Sequence, residues 1–159
     1  MQHVPYSDLT SLQRTALDAA AEAMETAYSP YSHFFVGSAL VTKDGKTVTG
    51  SNVENAAHGS TICAERAAIL SANAQGMRSF ECIAVIAHGE TFDTTQVTAP
   101  CGSCRQMIYE LAQISGNDIE CVLSTTKKDK IIVTTINELL PLAFGPTDLG
   151  IDVERYRTD

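Results

Sequence analysis

Cys63-Ala64-Glu65 and Pro100-Cys101-Gly102-Ser103-Cys104 place three thiols and one carboxylate in a spacing that suits hydrolysis at a metal. Thiolates bind zinc well, and three protein ligands leave a fourth tetrahedral position for water. A helix that aims Cys63 at the ion keeps Glu65 out of the same coordination position. Glu65 can then sit over the open side and move the protons of water. Cys101 and Cys104 are three residues apart, so on a helix they share one face and can bind one ion. Three thiolates on a divalent cation leave net negative charge, which opposes deprotonation of water. Arg66 and Arg105 each directly follow a motif element and are candidates to offset that charge as donors to ligand sulfur. Two other readings stay open on these residues alone. A C-x-x-C pair also suits redox chemistry, and Cys82, Cys121 or His58 would close a structural zinc site as a fourth ligand.

Both cysteine groups are expected to open helices. An Ala/Leu-rich stretch over 62–74, closed by Gly76, reads as one helix, and 101–114, with Pro100 just before it, as another. Helix N-termini offer unpaired N–H groups and a partial positive charge, which favour thiolate over thiol. Upstream, Thr10-x-x-Gln13 has the form of a capping box. Leu9, Leu12, Ala16, Leu17, Ala20, Met24 and Ala27 follow at helical spacing, and Pro30 predicts an end near Tyr28. Strands are expected over 36–41 and 47–53, joined by an Asp44-Gly45 hairpin, then over 82–87, 119–124 and 130–134, with a short helical piece at 137–140. This order predicts one α/β domain over 1–159, with a mixed sheet and helices on its faces, and a polar tail from about 150.

The 159 residues carry 11 basic and 19 acidic side chains, a formal net charge of −8. Polynucleotide binding needs a basic surface, and the only local basic run, Lys127-Lys128-Asp129-Lys130, reads as a solvated hairpin turn. A nucleic-acid partner is therefore not expected. No apolar run reaches the roughly 18 residues a membrane helix needs, and Met1-Gln2-His3-Val4-Pro5 has no signal-peptide character, so the cytoplasm is the expected compartment. Five cysteines in such a chain favour metal ligation or catalysis over disulfides. Cys82 and Cys121, inside apolar runs, are expected in the core.

The two cysteine motifs match the pattern H-x-E…P-C-x-x-C of zinc nucleobase deaminases, with Cys63 where the histidine stands. Beyond them, the chain resembles the small tetrameric cytidine deaminases. The resemblance is carried in order by residues 27–37 (Ala-Tyr-Ser-Pro-Tyr-Ser-His-Phe-Phe-Val-Gly), Asn52-Val53-Glu54-Asn55-Ala56, Ile62-Cys63-Ala64-Glu65-Arg66, Pro100 through Gln106, Leu139-Leu140-Pro141 and Ala143-Phe144-Gly145. It implies a three-layer α/β/α sandwich with a mixed five-stranded sheet, and one zinc per subunit. It also implies a homotetramer with active sites shared across subunit interfaces. The implied reaction converts cytidine and deoxycytidine to uridine and deoxyuridine with release of ammonia, in pyrimidine salvage. The alternative is a zinc deaminase of a different or modified aminated nucleoside or base.

Carried over residue by residue, the resemblance makes Cys63, Cys101 and Cys104 the zinc ligands. It makes Glu65 the proton shuttle that also binds ring N3, and the Ala64 N–H the donor to the pyrimidine O2. Asn52 and Glu54 become the pair that holds the ribose 3′-hydroxyl, Phe34 an aromatic wall of the base pocket, and Phe144 an aromatic closing a neighbouring subunit's site. Ala56 falls within the substrate-binding set, and Arg66 matches a donor to ligand sulfur. The chain departs from the family at Ala57-His58, where a Cys-Tyr pair is common, and at Gly59-Ser60-Thr61, where Pro-Leu-Gly is. The family's tyrosine helps hold the 5′ end of the nucleoside, and His58, placed in the substrate-binding set, stands in its position.

Overall fold

The computed structural model describes residues 1–158; Asp159, the last residue of the polar tail, lies outside the described residues. Its centre is β4 (Cys82–Gly89), a run with almost no polar side chains. Such a strand is stable only with both faces covered, and both are. Cys82, Ala84 and Ile86 pack under α1 (Ser11–Met24). Ile83 and Val85 pack under α2 (Ala64–Ala74) and α3 (Gly102–Ser115). The result is a sheet with α1 on one face and α2 and α3 on the other.

Around β4 stand β2 (Phe34–Val41), antiparallel to it, and β6 (Glu120–Ser124), parallel to it. β3 (Thr47–Ser51) pairs with β2, and β7 (Ile131–Thr135) with β6. These five strands are the expected ones, but among the described residues the sheet has seven. β1 (Gln2–His3) adds to the β7 edge and β5 (Phe92–Asp93) to the end of β4. Two residues are too few to show an alternation in the sequence, which is why neither was expected.

α1 begins where Thr10 and Gln13 cap one another reciprocally. It stops at Met24, four residues before the expected end. Residues 25–27 continue only through i to i+3 bonds, and Tyr28 turns away to donate to the Asn52 carbonyl and accept from Glu54 N–H. Sheet pairing thus ends the helix before Pro30 can. β3 likewise stops at Ser51, and Val53 instead bridges Tyr28 and Ile62. At the other end of the chain, α4 (Ile136–Leu139) carries a second reciprocal cap between Thr135 and Glu138.

The lysine run is not a free basic patch. Lys127 pairs with Asp93 at 2.9 Å, Lys128 with Asp18 at 2.6 Å, and Lys130 Nζ donates to the Thr95 carbonyl. Among the described residues, no helix is long and apolar enough to cross a membrane.

α2 lies directly on β3 at Gly50, where an added Cβ would overlap the backbone of Ala64 and Ala68. That close approach fixes the start of α2. Replacing Gly50 with Ala is expected to destabilise the fold by about 1–3 kcal/mol, read as a lower thermal midpoint, while Thr49→Ser on the exposed side of the same strand leaves it nearly unchanged.

Candidate functional site

Cys63 is the N-cap of α2 (φ −69°, ψ 155°) and Cys101 the N-cap of α3 (φ −67°, ψ 168°). Neither side chain makes the capping hydrogen bond that its position usually makes. Both sulfurs are therefore free to face away from their own helices. Cys104, one turn into α3, is fully buried. The three sulfurs lie within 4.8 Å of one another, with Cys101 and Cys104 3.5 Å apart. Zinc with Zn–S bonds of about 2.3 Å needs sulfurs roughly 3.8 Å apart, so the donor set fits one zinc ion. Of the proposed fourth ligands, Cys82 and Cys121 are buried in two separate core clusters and His58 is exposed. Among the described residues the metal-holding group is Cys63, Cys101 and Cys104 alone.

The electrostatics at this point are those of two helix starts. The Cys63 thiol is held down at about 6, chiefly by the hydrogen bond from Cys104 and further by the Arg66 guanidinium. The same contact pushes the Cys104 thiol up. Glu65, in the first turn of α2, is only 4% exposed, and burial holds its carboxyl above the usual range, with the Cys63 charge acting the same way. Ala64 is the first residue of α2, so its N–H has no partner within the helix.

The two arginines differ. Arg66 has a buried Nε with no hydrogen-bond partner in the protein, beside the cysteine cluster. Arg105 donates from Nε to the Pro100 carbonyl and from Nη1 to the Leu139 carbonyl, each at 2.8 Å. Its hydrogen bonds go to backbone oxygen rather than to sulfur. Arg105 thus ties the loop before Cys101 to the end of α4, a different role from the charge offset expected of it.

A second group forms around residues 28–34. Asn52 is 8% exposed, and its side-chain amide is engaged on both ends. Oδ1 accepts from Val36 N–H at 2.8 Å, and Nδ2 donates to Ser29 Oγ and the Phe34 carbonyl, each at 2.9 Å. Glu54 accepts from Tyr31 N–H at 2.8 Å and from Ser32 N–H at 3.2 Å. The Ser32 side chain leads in holding the Glu54 carboxyl below the usual range, and the Tyr31 and Ser32 N–H groups add to it. Both side chains therefore brace the loop that leads into Phe34 at the start of β2. Two backbone hydrogen bonds between Val53 and Ile62 connect this group to the start of α2.

The remaining expected residues are on the rim. Ala56 and His58 are exposed, and the His58 ring stands edge-on to Tyr31 at 5.6 Å. Phe34 is half-buried. Phe144 is 62% exposed, with only its backbone carbonyl tied down, by Gln106 Nε2. Two residues of this region were missed by sequence reasoning. Ser29 is buried against Asn52; it lies within the 27–37 segment of the resemblance, beside Pro30, but was given no role there. Phe92 stacks on Phe34 with ring centroids 6.5 Å apart, from a strand too short to be read.

A family model described as the cytidine and deoxycytidylate deaminase zinc-binding region matches residues 10–116, which include the three cysteines and Glu65. A cytidine deaminase of Halalkalibacterium halodurans is 44% identical over 131 residues, 82% of this chain and 92% of that one. A blasticidin-S deaminase of Bacillus cereus is 31% identical over 131 residues, 80% of this chain and 89% of that one. The crystal structure of a cytidine deaminase from Burkholderia pseudomallei superposes with a TM-score of 0.73 at 45% identity, covering 86% of this chain and all of that one. With a family model over most of its length and relatives of this identity, the chain belongs to the cytidine and deoxycytidylate deaminase family.

Proposed function

We propose that this chain is a zinc-dependent hydrolase that converts cytidine and deoxycytidine to uridine and deoxyuridine and releases ammonia. The observation that carries this reading is the three-sulfur cluster at two helix starts, with the buried carboxylate of Glu65 two residues beyond Cys63. Zinc held by Cys63, Cys101 and Cys104 would supply Lewis-acid activation of water near neutral pH.

The protein's own groups do the rest. Glu65 takes a proton from the attacking water and delivers it to ring N3, which makes C4 electrophilic. As the C4–O bond forms, the second proton passes through Glu65 to the 4-amino group. The C4–N4 bond then breaks and ammonia leaves. The raised carboxyl of Glu65 supports this role, because a proton carrier works best when its affinity for the proton lies nearer the working pH. The free Ala64 N–H is the donor to the pyrimidine O2. Arg66, with its unpartnered buried Nε, offsets the excess negative charge of the thiolates.

In this reading the ribose 3′-hydroxyl binds at Glu54, whose carboxylate has lone pairs beyond those its backbone partners take. Asn52 has one Oδ1 lone pair to offer and otherwise holds the loop in place. Phe34 walls the base. The exposed ring of Phe144, next to the fully exposed Leu142 at φ 55°, supports a homotetramer in which each chain closes a neighbour's site. The whole chain acts as a single deaminase domain. Five free thiols suit a reducing compartment, so we place the enzyme in the cytoplasm, serving pyrimidine salvage.

A second reading is favoured by His58 on the rim beside Tyr31, where the family commonly has tyrosine, and by the likeness to a blasticidin-S deaminase. It assigns a modified cytosine nucleoside as the preferred substrate. Initial rates separate the two. Under the first reading, kcat/KM for cytidine exceeds that for free cytosine by about tenfold or more, the worth of one hydrogen bond to a charged group, and is not surpassed by base- or sugar-modified analogues.

Two variants and one control test the chemistry. Cys104→Ala is expected to reduce bound zinc from one per chain to a small fraction by metal analysis, whereas Cys82→Ala keeps it. Glu65→Gln is expected to keep both zinc and thermal midpoint while losing at least about a hundredfold in kcat. Near wild-type turnover by Glu65→Gln would refute the assignment.

A further inference from the structure

β4 ends at Gly89, and the chain returns as β5 after two residues. Gly89 therefore has a cross-strand neighbour on each side, Phe34 on β2 and Phe92 on β5. Side chains in register point to one face of a sheet. Here that is the face of α2 and α3, because Val36 and Leu40, in step with Phe34, pack in the cluster beneath those helices. With no side chain at position 89, the two rings lean across the gap and stack, their centroids 6.5 Å apart and their planes 30° apart. A Cβ at Gly89 would overlap the Phe92 ring.

Phe92 is not ordinary core: it is 58% exposed. Yet the two-residue strand that carries it is firmly held. Thr94 and Thr126 each donate their backbone N–H to the other's hydroxyl, at 2.8 and 3.0 Å, and both hydroxyls donate to the Ala87 carbonyl. Lys127 pairs with Asp93, and Lys130 donates to the Thr95 carbonyl. This is an anchored platform for an exposed aromatic ring beside the loop that Asn52 and Glu54 brace.

We propose that Phe92 is a positioning residue for the reaction: stacked over Gly89, it fixes the plane of the Phe34 ring and so the wall against which the pyrimidine lies. This rests on the reading of Phe34 and of the function given above.

The test uses the zinc-loaded full chain with cytidine. Phe92→Ala is expected to raise KM about three- to tenfold, the range an aromatic pair supports, with kcat within twofold. The dissociation constant of cytidine from the Glu65→Gln protein, measured by calorimetry, rises by the same factor when Phe92→Ala is added. Phe92→Tyr restores both to within twofold. Gly89→Ala, which keeps both rings but fills the space between them, moves KM in the same direction as Phe92→Ala. The inference is overturned if Phe92→Ala leaves KM and the dissociation constant unchanged, if Phe92→Tyr behaves like Phe92→Ala, or if the loss falls on kcat together with zinc content or thermal midpoint. Absence of cytidine turnover by the wild-type protein would instead overturn the proposed function, and this inference with it.

Discussion

Two helices must begin at one point, and everything else in this chain serves that requirement. Helix starts carry unpaired N–H groups and partial positive charge, and most proteins cap each of them with a side-chain oxygen. This chain does so at Thr10 and Thr135. At Cys63 and Cys101 it does not, and the sulfurs that leave their helices uncapped are the ones that meet. The field of two helix ends thus converges on the sulfur cluster instead of being cancelled locally. The absence of a side chain at Gly50 lets α2 reach that point, and the two carbonyl bonds of Arg105 hold the loop before α3.

Around this point the polar groups form a brace. Asn52 and Glu54 belong to the segment after β3, yet their hydrogen bonds run to residues 29–36. The buried amide of Asn52 is saturated on its donor side, so removing it would leave Ser29, Phe34 and Val36 with unmet partners. In the proposed function, binding and loop geometry are therefore linked in the same side chains. The Val53–Ile62 bridge carries that linkage on to Cys63.

Much of this was legible in the sequence. The spacing of Cys101 and Cys104 put two sulfurs on one helix face because three residues on a helix is a fixed distance, while Cys63 joined them through the resemblance, and the apolar run of β4 announced a strand covered on both faces. The reciprocal cap at Thr10 and Gln13 marked the start of α1. What stayed hidden depended on partners distant in the chain. α1 ends early because Tyr28 pairs with a segment that follows the second hairpin strand. The last hairpin turn is solvated as read, but nothing nearby in sequence reveals Asp18, Asp93 or the Thr95 carbonyl as partners of its lysines. β1 and β5 are too short for any periodicity. Arg105 stands at a position that suits a sulfur donor, but its hydrogen bonds go to the Pro100 and Leu139 carbonyls, the second of them distant in the chain.

The ligand set also has a meaning for the folding of the chain. Its members come from two helices separated by a whole strand and its connections, so an ion bound there ties together segments that are independent in the unfolded chain. In thermodynamic terms it is a clasp: the affinity for the ion and the stability of the helix–sheet docking are two measures of one equilibrium. A substitution far from the cysteines that loosens α2 against β3 would therefore register first as weaker retention of the ion, before any loss of secondary structure.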